Sequence, residues 1–216
     1  AHLFYLHPRF FSKKTLVYIF SRRIEKVIAP TRWSKSSQNR WQFIVAYGAC
    51  PIDVEGRFIL PTWCDSHTHI VYSGSREKEF IDRVSGSTYE EIAKKGGGIL
   101  KSSNQINNAT EDELFSESER RIKKLIRYGT GSLEIKSGYG LSYEGELKML
   151  KVIKRLKDSL PIEIKSTFLG AHSVPKNYSK DDYFDVVITK MLPDFYEKNL
   201  IDFVDVFCES NYFTPK

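Results

Sequence analysis

The sequence lacks any run of about 18 apolar residues, the length that a membrane-spanning helix requires. Residues 1–20 are aromatic and basic, without the apolar core and cleavage site of a secretory signal peptide. Cysteine is scarce, and the three cysteines lie far apart, so they form neither a CxxC pair nor a disulfide framework. These absences argue against a membrane protein or a disulfide-rich secreted protein, and they favour a reduced, cytoplasmic compartment.

The net charge of +6 belongs to one end of the chain. Residues 1–50 carry nine Lys or Arg and a single acid, Glu25, whereas the rest of the chain carries 24 basic and 26 acidic residues. A basic patch can bind nucleic acid or an anionic membrane, but no recognised binding motif accompanies this one. We therefore interpret it as a solvated arm and expect no nucleic-acid or membrane partner.

Regular secondary-structure signals begin after Cys50 and alternate between strands and helices. The chain of 216 residues can bury a core, yet it is short for a complete eight-stranded barrel of about 250 residues. Predicted strands are 58–60, a segment ending near 69, 132–135, 162–169 and 203–208; predicted helices are 110–128, 143–157 and 179–192, with a further helical piece to 199. The alternation predicts a parallel α/β architecture in which four barrel strands are present.

Local signals mark several element boundaries. Ser87-x-x-Glu90 and Thr110-x-x-Glu113 have capping-box form, and the first predicts a short helix through Lys95. Pro193 is expected to stop the helix before it. Before Cys50 the signals are weak, with short strands at 16–20 and 42–47 around a polar loop at 34–40.

The sharpest chemical signal is the segment Asp65–His69. Side chains two apart in a strand point to the same face, so His67 and His69 would present two imidazoles to one point. Such a pair at the carboxyl end of a barrel strand begins a divalent metal site. The alternative is two surface histidines in a turn; the apolar strand and Pro61 before them favour the metal.

Three further segments carry candidate residues. Tyr139, between two glycines after a strand, either projects its hydroxyl into the mouth of the barrel or packs in a turn. Lys136 is either a carbamylated lysine that bridges metal ions or an ordinary solvated or salt-bridged lysine, and the ordinary state is favoured. His172 follows a strand and is a base, hydrogen-bond donor, ligand or structural residue. Arg76 can grip a carboxylate or lie free on the surface.

Taken together, these segments resemble imidazolonepropionase of the amidohydrolase superfamily, from about Ile52 to the end of the chain. The matching stretches occur in the family's order and are Leu60–His69, Gly74–Glu77, Glu79–Phe80, Gly96–Ile99, Glu134–Leu141, Glu146–Leu150, Phe168–His172 and Asp205–Glu209. The combination of HTH (His67–His69), KSGYG (Lys136–Gly140) and LGAH (Leu169–His172) in this order is highly specific for the family. Residues 1–50 share little of the resemblance.

The resemblance implies a fold and an activity. The fold is a (β/α)8 TIM-type barrel of the metal-dependent hydrolases, present here as a partial barrel in residues 61–216, with a remnant of a small β-domain in residues 1–60. The activity is hydrolysis of the cyclic amide 4-imidazolone-5-propanoate to N-formimino-L-glutamate in histidine degradation. A small-molecule substrate and a possible homodimer are the implied partners.

The resemblance also assigns site residues. One zinc or iron ion, divalent or ferric, is held by His67 and His69 together with a later His and Asp, which are expected beyond Lys216. Substrate contacts fall on Arg76, Tyr89, Tyr139 and His172, and His172 is the catalytic candidate. Asn107 stands where the family usually has an Arg, which removes one expected substrate contact.

Two alternatives remain. The first is another cyclic-amide hydrolase of the superfamily, such as a dihydroorotase-like or hydantoinase-like enzyme, against which the KSGYG and LGAH segments argue. The second is an inactive, truncated fragment, because residues 1–216 contain only half of the implied metal ligands. On that view these residues alone would be inactive and poorly stable.

Overall fold

A computed structural model describes residues 4–6, 16–19, 58–88, 91, 97–209 and 212–214. The chain divides into two compact units. The first consists of Ala1–Cys64, Leu125–Ser132 and Pro161–Glu163, and the second of Asp65–Lys124, Leu133–Leu160 and Ile164–Lys216. The segments predicted at 34–40 and 42–47 lie outside the described residues.

The first unit contains a three-stranded sheet of β1 (Phe4–Leu6), β2 (Leu16–Ile19) and β3 (Phe58–Pro61). Strands β1 and β2 pair antiparallel, with Phe4 opposite Ile19. Strands β2 and β3 pair parallel, with Leu16 opposite Phe58. The predicted strands at 16–20 and 58–60 are therefore confirmed to within one residue.

A second sheet has the order β4-β5-β6-β7, and its strands are β4 (Trp63–Thr68), β5 (Thr130–Lys136), β6 (Glu163–Ala171) and β7 (Phe203–Val206). Consecutive strands are neighbours, and helices make the connections between them. That arrangement is typical of parallel strands joined by helical crossovers. The predicted parallel α/β architecture is confirmed for these four strands.

The helices of the described residues are α1 (Glu77–Val84), α2 (Ile99–Asn108), α3 (Glu111–Arg127), α4 (Tyr143–Ser159), α5 (Lys180–Val186), a π-helix (Val187–Met191) and α6 (Leu192–Glu197). The predicted capping box opens α3: the Thr110 amide donates to Glu113 Oε2 at 2.8 Å, and the Glu113 amide donates to Thr110 Oγ1 at 3.2 Å. None of the helices in the described part is long and apolar enough to cross a membrane.

The core of the second unit comes from the strands and from one face of each long helix. Buried residues on α4 recur at helical spacing, and burying such a stripe is the main source of a helix's stability in a protein. The largest fully buried side chains are Tyr183, Phe168, Phe195, Ile106, Leu114, Ile122, Leu133, Ile135, Met149, Leu150, Ile153 and Leu156.

Three local predictions were wrong or incomplete. Pro193 does not end the helical backbone: it lies in the first turn of α6, which follows the π-helix directly, with Met191 and Leu192 both in the right-handed helical region. The first capping box is displaced by one residue: Thr88 and Glu91 exchange the two hydrogen bonds, at 2.8 and 3.2 Å. Helices α1 and α2 had no predicted counterpart.

Candidate active site

The two histidines of the HTH segment lie together at the carboxyl end of β4. The ring centroids of His67 and His69 are 5.6 Å apart and the rings are inclined at 67°. Thr68, between them, is fixed to β5, because its Oγ1 donates to the carbonyl oxygen of Glu134 at 2.6 Å. Alternation along the strand places the two imidazoles on one face of the sheet, and Thr68 between them anchors the strand to β5.

His69 lies within a group of aromatic rings. Its ring centroid is 4.7 Å from that of Tyr139 and 5.4 Å from that of His172, with interplanar angles of 17° and 15°. Burial, followed by the positive charges of His172 and His67, lowers the pKa of His69 to about 4. Its Nδ1 is buried and has no hydrogen-bond partner within the described part of the chain. A neutral imidazole with an available lone pair is the form that binds a metal.

His172 immediately follows β6 and has a defined orientation. Its Nδ1 lies 2.9 Å from the carbonyl oxygen of Gly138. A carbonyl oxygen can only accept, so this contact requires a proton on Nδ1 and leaves the lone pair on Nε2. Burial lowers the pKa of His172, which favours the neutral ring. The structure therefore brings three sequence-predicted residues together: His69, Tyr139 and His172.

The loop that carries Tyr139 is held by a carboxylate from α4. Glu146 is fully buried and accepts hydrogen bonds from the amides of Gly138, Gly140 and Leu141 at 2.8, 2.7 and 3.1 Å. Burial raises the pKa of Glu146, and hydrogen bonds from Ser137 and these amides oppose the rise.

Lys136 is salt-bridged, which agrees with one of the two predicted alternatives. Its Nζ lies 2.8 Å from Glu134 Oε1 and 2.9 Å from Asp205 Oδ2, and the residue is 6% exposed. Burial lowers the pKa of Lys136, but the hydrogen bonds to Glu134 and Asp205 raise it more, so the net direction is upward. The amine is charged and joins β5 to β7 beside the histidines.

Arg76 immediately precedes α1, and its side chain contacts Glu79 on that helix. Its Nε donates to Glu79 Oε2 at 2.7 Å, and the same oxygen accepts from the amide of Gly98 at 3.2 Å. Burial raises the pKa of Glu79, but the hydrogen bonds from Arg76 and Gly98 lower it more. Tyr89, the remaining predicted substrate contact, lies outside the described residues.

Four acidic residues that contact candidate residues or hold their loops were not predicted as site residues: Glu79, Glu134, Asp205 and Glu146. Only one of them had a local signal, because Glu134 and Lys136 are two apart on the same face of a strand. Asp205 is 69 residues from Lys136, so this pairing depends on the strand order.

The donor set fits part of a metal site. His67 and His69 offer two imidazoles with ring centroids 5.6 Å apart, and the buried Nδ1 of His69 has no hydrogen-bond partner among the described residues. Within the residues that the structure describes, no group of three or more His, Cys, Asp or Glu side chains could hold an ion. Catalytic zinc sites usually take three protein ligands, so these residues supply an incomplete set.

Comparison with curated proteins finds relatives named imidazolonepropionase. The chain is 58% identical over 165 residues to the protein from Flavobacterium johnsoniae, and 52% identical over 167 residues to that from Christiangramia forsetii. It is 46% identical over 166 residues to that from Geobacillus kaustophilus. Each alignment covers 76% of this chain, and the chain spans only about 40% of the length of these relatives. No protein-family model matches the chain.

Proposed function

Because this chain belongs to the imidazolonepropionase family, we propose that it forms part of an enzyme that hydrolyses 4-imidazolone-5-propanoate to N-formimino-L-glutamate. The observation that carries the proposal is the convergence of His67, His69, Tyr139 and His172 at the carboxyl ends of three neighbouring strands. Active sites of α/β barrels lie at this end of the strands.

We propose that the four-stranded sheet is half of a (β/α)8 barrel, and that residues 1–60 belong to a small β-domain. Strand β7 is the last strand in the described sheet order. Phe203, Val204 and Val206 on this strand are 55%, 52% and 43% exposed. Apolar side chains on an edge strand are normally covered by a further strand or by helices. A continuing barrel provides that cover.

A zinc or iron ion fits the role of the cofactor in this proposal. His67 and His69 would hold it, and ligands from outside these residues would complete its coordination. When bound, such an ion would supply Lewis-acid chemistry at the cyclic amide. Because half of the ligands come from elsewhere, residues 1–216 alone are expected to be inactive.

The remaining residues bind and orient the cyclic amide. His172 offers Nε2 for proton transfer or for a hydrogen bond to the reacting group, because its Nδ1 is engaged by Gly138. Tyr139, with its ring 4.7 Å from that of His69, offers its hydroxyl from the neighbouring strand end. Arg76 donates a hydrogen bond from Nε to Glu79. We propose that its Nη1 and Nη2 groups bind the propionate carboxylate of the substrate. Tyr89 is assigned to the substrate on the resemblance alone.

The test is a metal and activity assay on the chain extended to the length of its relatives. Loss of imidazolone propionate absorbance and bound metal are measured for the parent protein, for His67→Ala and for Cys64→Ala. Cys64 is an exposed free cysteine on the same strand and serves as the matched control. We expect His67→Ala to lose both metal and turnover, while Cys64→Ala keeps both.

Two outcomes would contradict the proposal. Turnover of dihydroorotate or hydantoins in place of imidazolone propionate would assign the chain to another cyclic-amide hydrolase. A well-folded extended chain with neither metal nor turnover would support the inactive alternative.

A further inference from the structure

We propose that Glu146 is a positioning residue that sets both Tyr139 and His172 through the peptide groups of the intervening loop. Its kinetic consequence depends on the function proposed above. Its structural consequence, the tautomer of His172, does not. Glu146 lies on α4, and we assign it no contact with the substrate.

The first step is the nature of the Glu146 contacts. The carboxylate is fully buried and accepts three backbone hydrogen bonds from one short loop, at 2.7 to 3.1 Å. Its Oε2 accepts a hydrogen bond from the amide of Gly138, and its Oε1 accepts hydrogen bonds from the amides of Gly140 and Leu141. The two glycines flank Tyr139, so the carboxylate fixes the backbone on both sides of that residue.

The second step is the double role of Gly138. Its N–H donates to Glu146 at 2.8 Å, and its carbonyl oxygen accepts from Nδ1 of His172 at 2.9 Å. The residue has a φ of +99°, and a Cβ there would lie 2.7 Å from the carbonyl oxygen of Leu169. Such close packing leaves the loop little freedom, so a shift in Gly138 passes directly to the imidazole.

The third step is the anchoring of the opposite side of the loop. The carbonyl oxygen of Gly140 accepts from Ser103 Oγ and from Asn107 Nδ2, each at 3.0 Å. Asn107 stands where the resemblance implies an Arg, and the structure gives its side chain this contact. The contacts of Ser103 and Asn107 fall on the Gly140 carbonyl, whereas the amides of Gly138 and Gly140, on either side of Tyr139, donate to Glu146.

The informative substitution is Glu146→Gln, which keeps the shape of the side chain. An amide has one acceptor oxygen and one NH2 group that can only donate. At least one backbone N–H then faces a donor, and Gly138 or Gly140 must move to relieve the mismatch. Misplacing a catalytic group by about 1 Å can lower a rate by about 100-fold. Glu144→Gln, on the exposed side of the same first turn, is the matched control.

The experiment combines 15N NMR of the histidine rings with steady-state kinetics on the extended, metal-loaded chain. In the parent protein we expect His172 to carry its proton on Nδ1. Glu146→Gln should raise the fraction protonated on Nε2 and lower kcat/KM by about 10- to 100-fold, with metal content unchanged. Glu144→Gln should match the parent in every measurement.

The outcomes separate this inference from the proposed function. If the parent fails to turn over imidazolone propionate, the proposed function fails, and the tautomer measurement still tests the role of Glu146. A parent His172 protonated mainly on Nε2 overturns the inference. A folded Glu146→Gln protein whose His172 tautomer and kinetics match those of Glu144→Gln also overturns it.

If Glu146→Gln does not fold, Ser137→Ala takes its place, because it removes one hydrogen-bond donor to the same carboxylate. We expect a smaller shift of the His172 tautomer in the same direction, and no shift rejects the inference.

Discussion

Lys136→Met is the substitution whose effect on stability can be worked most directly from the structure. The side chain of Lys136 is 8% exposed and its amine lies 2.8 Å from Glu134 and 2.9 Å from Asp205. Methionine has a similar length and packs in the same space, but it removes the positive charge. Two carboxylates then remain close together without a counter-ion.

The expected loss follows from the exposure of each partner. Breaking a buried ion pair from one side costs about 3–5 kcal/mol, because the remaining charge is uncompensated. The side chain of Glu134 is 13% exposed, whereas that of Asp205 is 43% exposed and keeps part of its hydration. We therefore expect the free energy of unfolding to fall by about 2–3 kcal/mol. Lys154→Met, which breaks an exposed pair with Asp158 on α4, should cost about 0.3–0.5 kcal/mol.

The assay is urea denaturation of the extended chain at neutral pH. Adding Glu134→Gln and Asp205→Asn to Lys136→Met should recover most of the loss, since no unpaired charge is then left at the site. If Lys136→Met and Lys154→Met lower stability by the same amount, the ion pairs of Lys136 contribute no more than a surface pair and the reasoning is refuted.

Two further predictions concern Asp202 and Gly140. Burial raises the pKa of Asp202, but hydrogen bonds from the Ser166 amide and Lys157 lower it more. Its stabilisation is therefore present above the unfolded pKa of about 3.9 and is lost as pH falls through the lower folded value. Asp202→Asn should be about 1–2 kcal/mol less stable at pH 7 in urea titrations, with the gap closing below about pH 4; a gap that is constant with pH would contradict this. Gly140→Ala places a Cβ 2.3 Å from two backbone atoms of α4 and should lower the urea midpoint relative to the parent protein. An unchanged urea midpoint would show that the loop moves to accept the methyl group.

The long elements of the second unit could be predicted because their sequences carry the packing pattern. In α3 the residues Leu114 and Ile122 are fully buried and recur at helical spacing after an explicit capping box. Helix α2 could not be found in this way. Its buried face includes Ser102 and Ser103, so hydrophobic periodicity does not reveal it. Helix α1 could not be predicted from a buried apolar face either. Its apolar residues Phe80, Ile81 and Val84 are 61% to 73% exposed.

The candidate site could be predicted only where one segment supplies the geometry. Two imidazoles two residues apart in a strand share a face whatever the rest of the fold does, so the His67–His69 pair follows from the sequence. The ion pair of Lys136 with Asp205 joins residues 69 positions apart and requires β6 to lie between their strands. Periodicity within a segment carries no information about which strands become neighbours.

Hydrogen bonds from neighbouring elements hold the backbone on which the candidate residues lie. Two of the three strand ends that carry candidate residues are held by another element: Thr68 by Glu134 of β5, and Gly138 by Glu146 of α4. Buried charged groups cost stability unless they are fully hydrogen-bonded, so a core that needed only stability would do as well with apolar residues here. Their concentration at the end of the sheet that carries the histidines is therefore better explained by positioning. Substitutions at these supporting residues should alter the candidate site even though the side chains themselves touch no substrate.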